Sequence, residues 1–314
     1  MTKREDSKKF AVVLCCNAAW LPMAAATFRF CQKQQVAEIA DFFLITHDVV
    51  EAELKTFQTF IDQHKIRVNI NVVEPNAALK QIKAGRYSTA TLLRLMLDGI
   101  IPKTYQRLLY LDCDILPLAP LNELFGFNMR NKPIAAVEDY VSLPGLMRLV
   151  SDHPRKIGLQ PQSRYFNAGV ILFDWPKTLE NGSLRKATEI IVQAQNSNRN
   201  LPFLDQDALN LSFENNWQEM PSKFNLMTFM LGRSKGKPVL RHFNSKNKPW
   251  GKTWIPQISE YKKFYIDCFE NSPYSKNVFA QFSTISMSEI FEYSVHFLFI
   301  KLGLRRTSKN DDPL

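Results

Sequence analysis

Short apolar runs alternate with amphipathic stretches of helical period along this chain, and that alternation limits its fold more than any other feature. Residues 8–16 (KKFAVVLCC) and 40–47 (ADFFLITH) read as buried strands separated by a stretch of helical character. Asp48, with Glu51 three residues on, sits where a helix cap belongs, so DVVEAELKTFQTFIDQH reads as an amphipathic helix. Residues 66–73 (IRVNINVV) alternate polar and apolar side chains, as a half-exposed strand does. A helix over STATLLRLMLDGI, capped by Ser88, leads into the strand RLLYLD, with later strands at KPIAAVE, FNAGVILFD and KPVLRHF. The order predicts an α/β layer fold on a mostly parallel sheet, whose ligands bind at the carboxyl ends of the strands.

Composition narrows the class. A chain of 314 residues that is 45% hydrophobic can bury a sizeable core. The formal net charge of +10 points to an anionic partner, such as a nucleotide, a nucleic acid or a phospholipid surface, without choosing among them. The cysteines, Cys15, Cys16, Cys31, Cys113 and Cys268, are odd in number and lack CxxC spacing, which argues against a disulfide framework or zinc ribbon and for a reducing compartment. The charged lead and brief apolar run at the N-terminus read as a first strand, not a signal peptide. No stretch has the roughly 20 unbroken apolar residues of a membrane span. A cytoplasmic protein, soluble or peripheral on the inner membrane face, is expected.

The chemistry centres on RLLYLDCDILPL. Asp112 and Asp114 fall where the strand ends, and two carboxylates so spaced can converge on a divalent ion that bridges to phosphate oxygens. Alone the pattern is weak, because with Asp at about 5% of residues a chain this long holds about one D-x-D by chance. Asp205 and Asp207 form another in LPFLDQDALN, at the start of a helix where an anionic cap is expected anyway. YFNAGVILFDW offers an amide and an unhindered glycine at a sheet edge, and LRHFNSKNKPW offers His242 as a third metal ligand and Lys248 as a point charge for a diphosphate. Taken singly, Arg94 also reads as a helix arginine reaching from an apolar stretch to water. Trp175, Trp217 and Trp254 read as core.

In their order, TLLRL, LLYLDCDILPL, YFNAGVILFD, DQDALN and HFNSKNKPW resemble glycosyltransferase family 8, the group of bacterial lipopolysaccharide galactosyl- and glucosyltransferases and glycogenin, over roughly residues 10–255. The resemblance implies a GT-A fold, a Rossmann-like nucleotide-binding domain, and retaining transfer of a hexose from a UDP-sugar to a glycan or glycolipid with Mn2+ or Mg2+ bound, and no nucleic-acid partner. Carried over by motif, Asp112, Asp114 and His242 hold the metal. Asn17, Arg94, Asp112, Cys113, Asp139, Asn167, Ala168 and Lys248 meet the donor, Lys248 at its diphosphate. Asp205 and Gln206 flank the donor sugar, with Gln206 near the anomeric carbon. Two positions depart from the family: CCNAAW has Asn17 and Trp20 in place of an aspartate-bearing segment, and Ser245 stands where a glycine is usual.

Two alternatives use the same residues differently. A haloacid-dehalogenase-type phosphatase would use the D-x-D as nucleophile and acid, but it expects the motif near the N-terminus and Thr or Val where Leu116 stands. A protein that binds a nucleotide sugar at the membrane without turnover is consistent with Asn17 and Ser245. A boundary is expected near residue 255, with the domain at 1–255 and an aromatic, basic tail at 256–314. Within the tail, EIFEYSVHFLFIKLGLRR suits an interfacial helix on an anionic membrane or a helix packed on the domain.

Overall fold

The computed structural model describes residues 9–83, 89–142, 152–230, 237–251 and 255–274, with positions 291, 294 and 295 near the C-terminus. Strands β1 (Phe10–Cys16), β2 (Ala40–Thr46) and β3 (Val68–Val72) pair in parallel, joined by helices α1 (Leu21–Lys33) and α2 (Glu51–Gln63). The central strand β4 (Arg107–Leu111) continues the parallel run beside β1. A short β5 (Ile115–Pro117) follows, then β6 (Ile134–Glu138), β7 (Phe166–Asp174) and β8 (Trp217–Glu219). Among the described residues, seven strands form one sheet in the order β3-β2-β1-β4-β7-β6-β8. β7 runs antiparallel to both β4 and β6, so the sheet is mixed but mostly parallel, as expected.

The pattern within β1 shows why the sheet carries helices on both faces. Val12 and Leu14 pack with α1 and α2 on one side, while Ala11 and Val13 pack on the other with helices α3 (Ser183–Asn196) and α4 (Leu204–Ser212). A strand with apolar residues on both faces is stable only when both are covered. Trp175 and Trp217 are buried core residues, whereas Trp254 lies outside the described residues.

Three expectations need correction. Asp48 does not cap α2: it sits in a left-handed turn (φ 53), Val50 is the cap residue, and the Glu53 carboxylate accepts from the Val50 N–H at 3.0 Å. The segment KPVLRHF does not join the main sheet. Its strand β10 (Leu240–His242) lies between β5, antiparallel, and β9 (Leu226–Met227), parallel, in a separate three-stranded sheet. The stretch after position 88 winds as a 3-10 helix over Thr89–Met96 before a short α-turn, and Ser88 itself lies outside the described residues.

Beyond residue 255 the chain packs onto the domain. Ile255, Ile258 and helix α5 (Lys262–Phe269), through Tyr265, Cys268 and Phe269, are buried in the core that holds α1. The segment read as an interfacial helix falls almost wholly outside the described residues, among which no helix is long and apolar enough to cross a membrane.

Candidate active site

The turn between β4 and β5 gathers the two aspartates and the distant histidine. Asp112 N–H donates to Gly169 O (2.8 Å) and Ile115 N–H to Asp112 O (3.2 Å), so the chain folds sharply as it leaves the main sheet for the small one. In the small sheet Ile115 lies opposite His242, and Phe243 N–H donates to Asp114 O at 3.0 Å. That register sets His242 Nε2 3.2 Å from Asp114 Oδ1 and 4.0 Å from Asp112 Oδ2. One ligand atom from each of the three residues lies within 4.8 Å of the others. Nε2 is the near neighbour of the buried Asp114 Oδ1, an oxygen with no well-formed hydrogen bond. Two carboxylates and an imidazole converging with an unsatisfied buried oxygen fit a divalent cation.

The carboxylates are charge-balanced without one. Lys248 Nζ lies 2.7 Å from Asp114 Oδ2. Burial alone would raise the Asp114 pKa, but Lys248 and His242 outweigh it and hold the carboxyl well below the usual carboxylate range. Arg94, also buried, donates from Nη2 to Asp112 Oδ1 (2.8 Å) and from Nη1 to Ala168 O (2.8 Å), and its Nε lies 3.0 Å from Asp205 Oδ2. Its guanidinium lies over the Tyr110 ring at 4.3 Å, and the Tyr110 hydroxyl donates to Asp112 Oδ1 at 2.8 Å. Burial would lower the Arg94 pKa, yet Asp112, Tyr110 and Asp205 outweigh it, so the group stays charged.

Asp205 is held in a state unfavourable to the fold. Burial, eased by Arg94 and aggravated by Asp112, pushes its carboxyl up to about 6 from an ordinary 3.8. A carboxyl whose folded pKa is raised imposes a penalty that is absent below the ordinary value and complete above the raised one. Asp205→Asn is therefore expected to stabilise the metal-free protein by about 1–3 kcal/mol at pH 7.5. Urea unfolding checks this, and the gain should shrink as the pH falls from about 6 toward 4.

The antiparallel pairing of β6 with β7 brings Asp139 beside Asn167, whose Nδ2 donates to Asp139 Oδ2 at 2.8 Å. Burial pushes the Asp139 carboxyl up, against hydrogen bonds from Asn167, Val141 N–H and Gln206. Gln206 Oε1 accepts from Ala168 N–H (2.9 Å) and its Nε2 donates to the Tyr165 hydroxyl (3.0 Å), so both ends of the amide are engaged. Leu204, at φ 37, starts α4 in a left-handed conformation that costs a branched residue about 1 kcal/mol or more, next to Asp205 and Gln206.

Gly169 serves a different purpose from the open backbone that the sequence suggested. A Cβ there would fall 2.3 Å from His242 Cε1 and 2.9 Å from Asp112 Oδ2, so the glycine makes room for the histidine ring itself. β7 is also internal to the sheet, not at its edge. Gly169→Ala should displace His242, weaken Mn2+ binding in a spin-resonance titration at least tenfold, and cost about 1–3 kcal/mol through overpacking.

The candidates named from sequence lie together. Arg94, Asp112, Asp114, Asp139, Asn167, Ala168, Asp205, Gln206, His242 and Lys248 line a groove of about 610 Å³. Asn17 and Cys113 line an adjoining one of about 310 Å³, which shares Trp20, Arg94 and both metal-site aspartates. Ser245, in place of the usual glycine, spends its hydroxyl on Asn247 O at 3.1 Å. Sequence reasoning missed Tyr110, Tyr165 and Asn225. It also gave Asp207 only a capping role: its Oδ2 does accept from Phe203 N–H (2.9 Å), but its Oδ1 meets His153 Nε2 (2.7 Å) and the Tyr165 hydroxyl (2.5 Å). Tyr110 was findable, since it lies two residues before Asp112 and so shares its face of the strand.

The sequence model of glycosyl transferase family 8 matches residues 11–253. General stress protein A of Bacillus subtilis (strain 168) is 26% identical over 211 residues, 60% of this chain and 69% of that protein. Lipopolysaccharide 1,2-glucosyltransferase of Escherichia coli (strain K12) is 23% identical over 247 residues, 74% of this chain and 70% of that one. The crystal structure of the galactosyltransferase LgtC in complex with donor and acceptor sugar analogs shares the fold, with a TM-score of 0.68 at 18% identity over 90% of this chain and 99% of the other. The layered, mostly parallel sheet is thus that of a GT-A fold. With the family match spanning every residue of both grooves, the chain belongs to glycosyl transferase family 8 and is a glycosyltransferase.

Proposed function

We propose that this chain transfers a hexose, galactose or glucose, from a UDP-sugar to a glycan acceptor with retention of configuration, and that Asp112, Asp114 and His242 hold Mn2+ or Mg2+. The observation that carries the proposal is the convergence of their ligand atoms within 4.8 Å, on the wall of a groove of about 610 Å³. A bound divalent cation supplies Lewis-acid neutralisation of a departing diphosphate.

The chain's own residues supply the rest. Lys248, 2.7 Å from Asp114 and partly accessible, places a positive charge where the leaving UDP becomes more negative, and a fixed charge in a partly dry groove stabilises that transition state strongly. Arg94 locks Asp112 and Asp205 in one orientation, so neither must reorganise during transfer. Gln206, its amide fixed at both ends, presents a set dipole to the donor sugar rather than a mobile nucleophile. Asn17 faces the smaller groove with an amide suited to a uracil edge.

Lipopolysaccharide or a similar glycolipid is the proposed acceptor, in keeping with relatives named as 1,2-glucosyl- and 1,3-galactosyltransferases of lipopolysaccharide. On the same reading residues 1–255 carry the transferase chemistry, and within 256–314 the segment after α5, which ends in the Arg305–Arg306 pair, meets an anionic membrane on the cytoplasmic side. The test is a panel of UDP- and GDP-sugars offered to the purified full chain with Mn2+ and with chelator. UDP release from one UDP-hexose, lost with chelator, is expected; turnover indifferent to chelator, or confined to GDP-sugars, would overturn the assignment.

A further inference from the structure

We propose that Asn225 is a positioning residue: held by Asn167, it accepts from His242 Nδ1–H and so keeps the ring turned with Nε2 toward Asp112 and Asp114. The proposal rests on the cation reading of that site for its consequence, but its geometry stands independently.

The direction of every hydrogen bond in this buried chain is set by groups that can act only one way. Gly169 N–H can only donate, and it lies 3.0 Å from Asn167 Oδ1, which fixes which end of that amide is oxygen. The other end, Nδ2, then meets the Asp139 carboxylate, an acceptor when ionised. The Asn225 group that lies 2.9 Å from Asn167 Oδ1 must be its NH2, and its oxygen therefore faces His242 Nδ1 at 2.9 Å. A carbonyl oxygen accepts only, so Nδ1 carries the hydrogen. The opposite tautomer would set two lone pairs against each other at a residue with no exposure to water, a cost of about 1–3 kcal/mol. Ligating histidines are generally oriented by such a partner on the second ring nitrogen. Here the partner is an amide that extends through Asn167 to Asp139, so the groove's donor-side groups and the metal corner share one network.

The test reads the tautomer and the metal affinity separately. Metal-free protein labelled with 15N-histidine is examined by long-range proton–nitrogen correlation at alkaline pH, with His242→Gln to assign the signal. Native protein should show a hydrogen on Nδ1. Asn225→Leu should shift the ring toward Nε2–H and weaken Mn2+ binding in the presence of UDP by about 10–100-fold, read by spin resonance. Asn225→Asp, which keeps an acceptor toward Nδ1 but sets a second oxygen against Asn167 Oδ1, should retain the hydrogen on Nδ1 and lose less Mn2+ affinity than Asn225→Leu. A native ring whose Nδ1 carries no hydrogen overturns the proposal. An Asn225→Leu protein with native tautomer and affinity does so too. If that variant does not fold, the native spectrum and Asn225→Asp decide. Native protein with a hydrogen on Nδ1 and no Mn2+ binding would refute the cation reading while leaving the role of Asn225 intact.

Discussion

Asp114→Asn is expected to lower UDP-sugar turnover by about 10²–10³-fold, the scale of removing one electrostatic contact to a transition state. The substitution keeps the shape of a side chain wedged between Lys248, His242 and the small sheet, and removes only its charge. It should also destabilise the metal-free protein. The native carboxyl is held below its ordinary range, and a depressed folded pKa gives stability that is present above the ordinary value and lost as pH falls through the folded one. The variant should therefore unfold at lower urea than native protein at pH 7, with a gap that closes on acidification, opposite in sign to Asp205→Asn. Native turnover in Asp114→Asn, measured with donor saturating, would remove this carboxylate from the mechanism.

Arg94→Met should produce the largest loss of stability. The methionine fills much of the volume but leaves Asp112 and Asp205 without their cation and Ala168 O without its donor. Breaking buried ion pairs by removing one partner costs about 3–5 kcal/mol, because the remaining charge stays buried. Lysine should not rescue it, since one ammonium cannot reach three acceptors in the fork geometry of a guanidinium. Adding Asp205→Asn should recover part of the loss, with a coupling of about 0.5–3 kcal/mol in the double-mutant cycle measured by urea unfolding. Strict additivity would mean that Arg94 and Asp205 do not act on each other.

Much of this architecture was legible in the chain. Runs such as FAVVLCC and RLLYL are apolar on both faces, and only a strand covered on both sides fits them. The end of β4 was marked by two carboxylates interrupting an apolar run. The antiparallel direction of β7 was not legible, because FNAGVILFD is equally apolar whichever way it runs. Nor was the small sheet: β10 spans Leu240–His242, too short for a period, and its pairing with β5 is a long-range event. Asp48 failed as a cap because the left-handed turn moves it out of line and lets Glu53 reach Val50 instead. Asn225 had no local signal, since its role comes from partners at Asn167 and His242 that only the fold brings near.

Crystals grown with UDP and Mn2+, with anomalous scattering recorded at the manganese edge, test the central claim most directly. The account predicts one peak bonded to His242 Nε2 and to carboxylate oxygens of Asp112 and Asp114, with the nucleotide diphosphate on its open side near Lys248. A manganese peak elsewhere, or a bound UDP whose diphosphate lies away from these side chains with no peak among them, would contradict it.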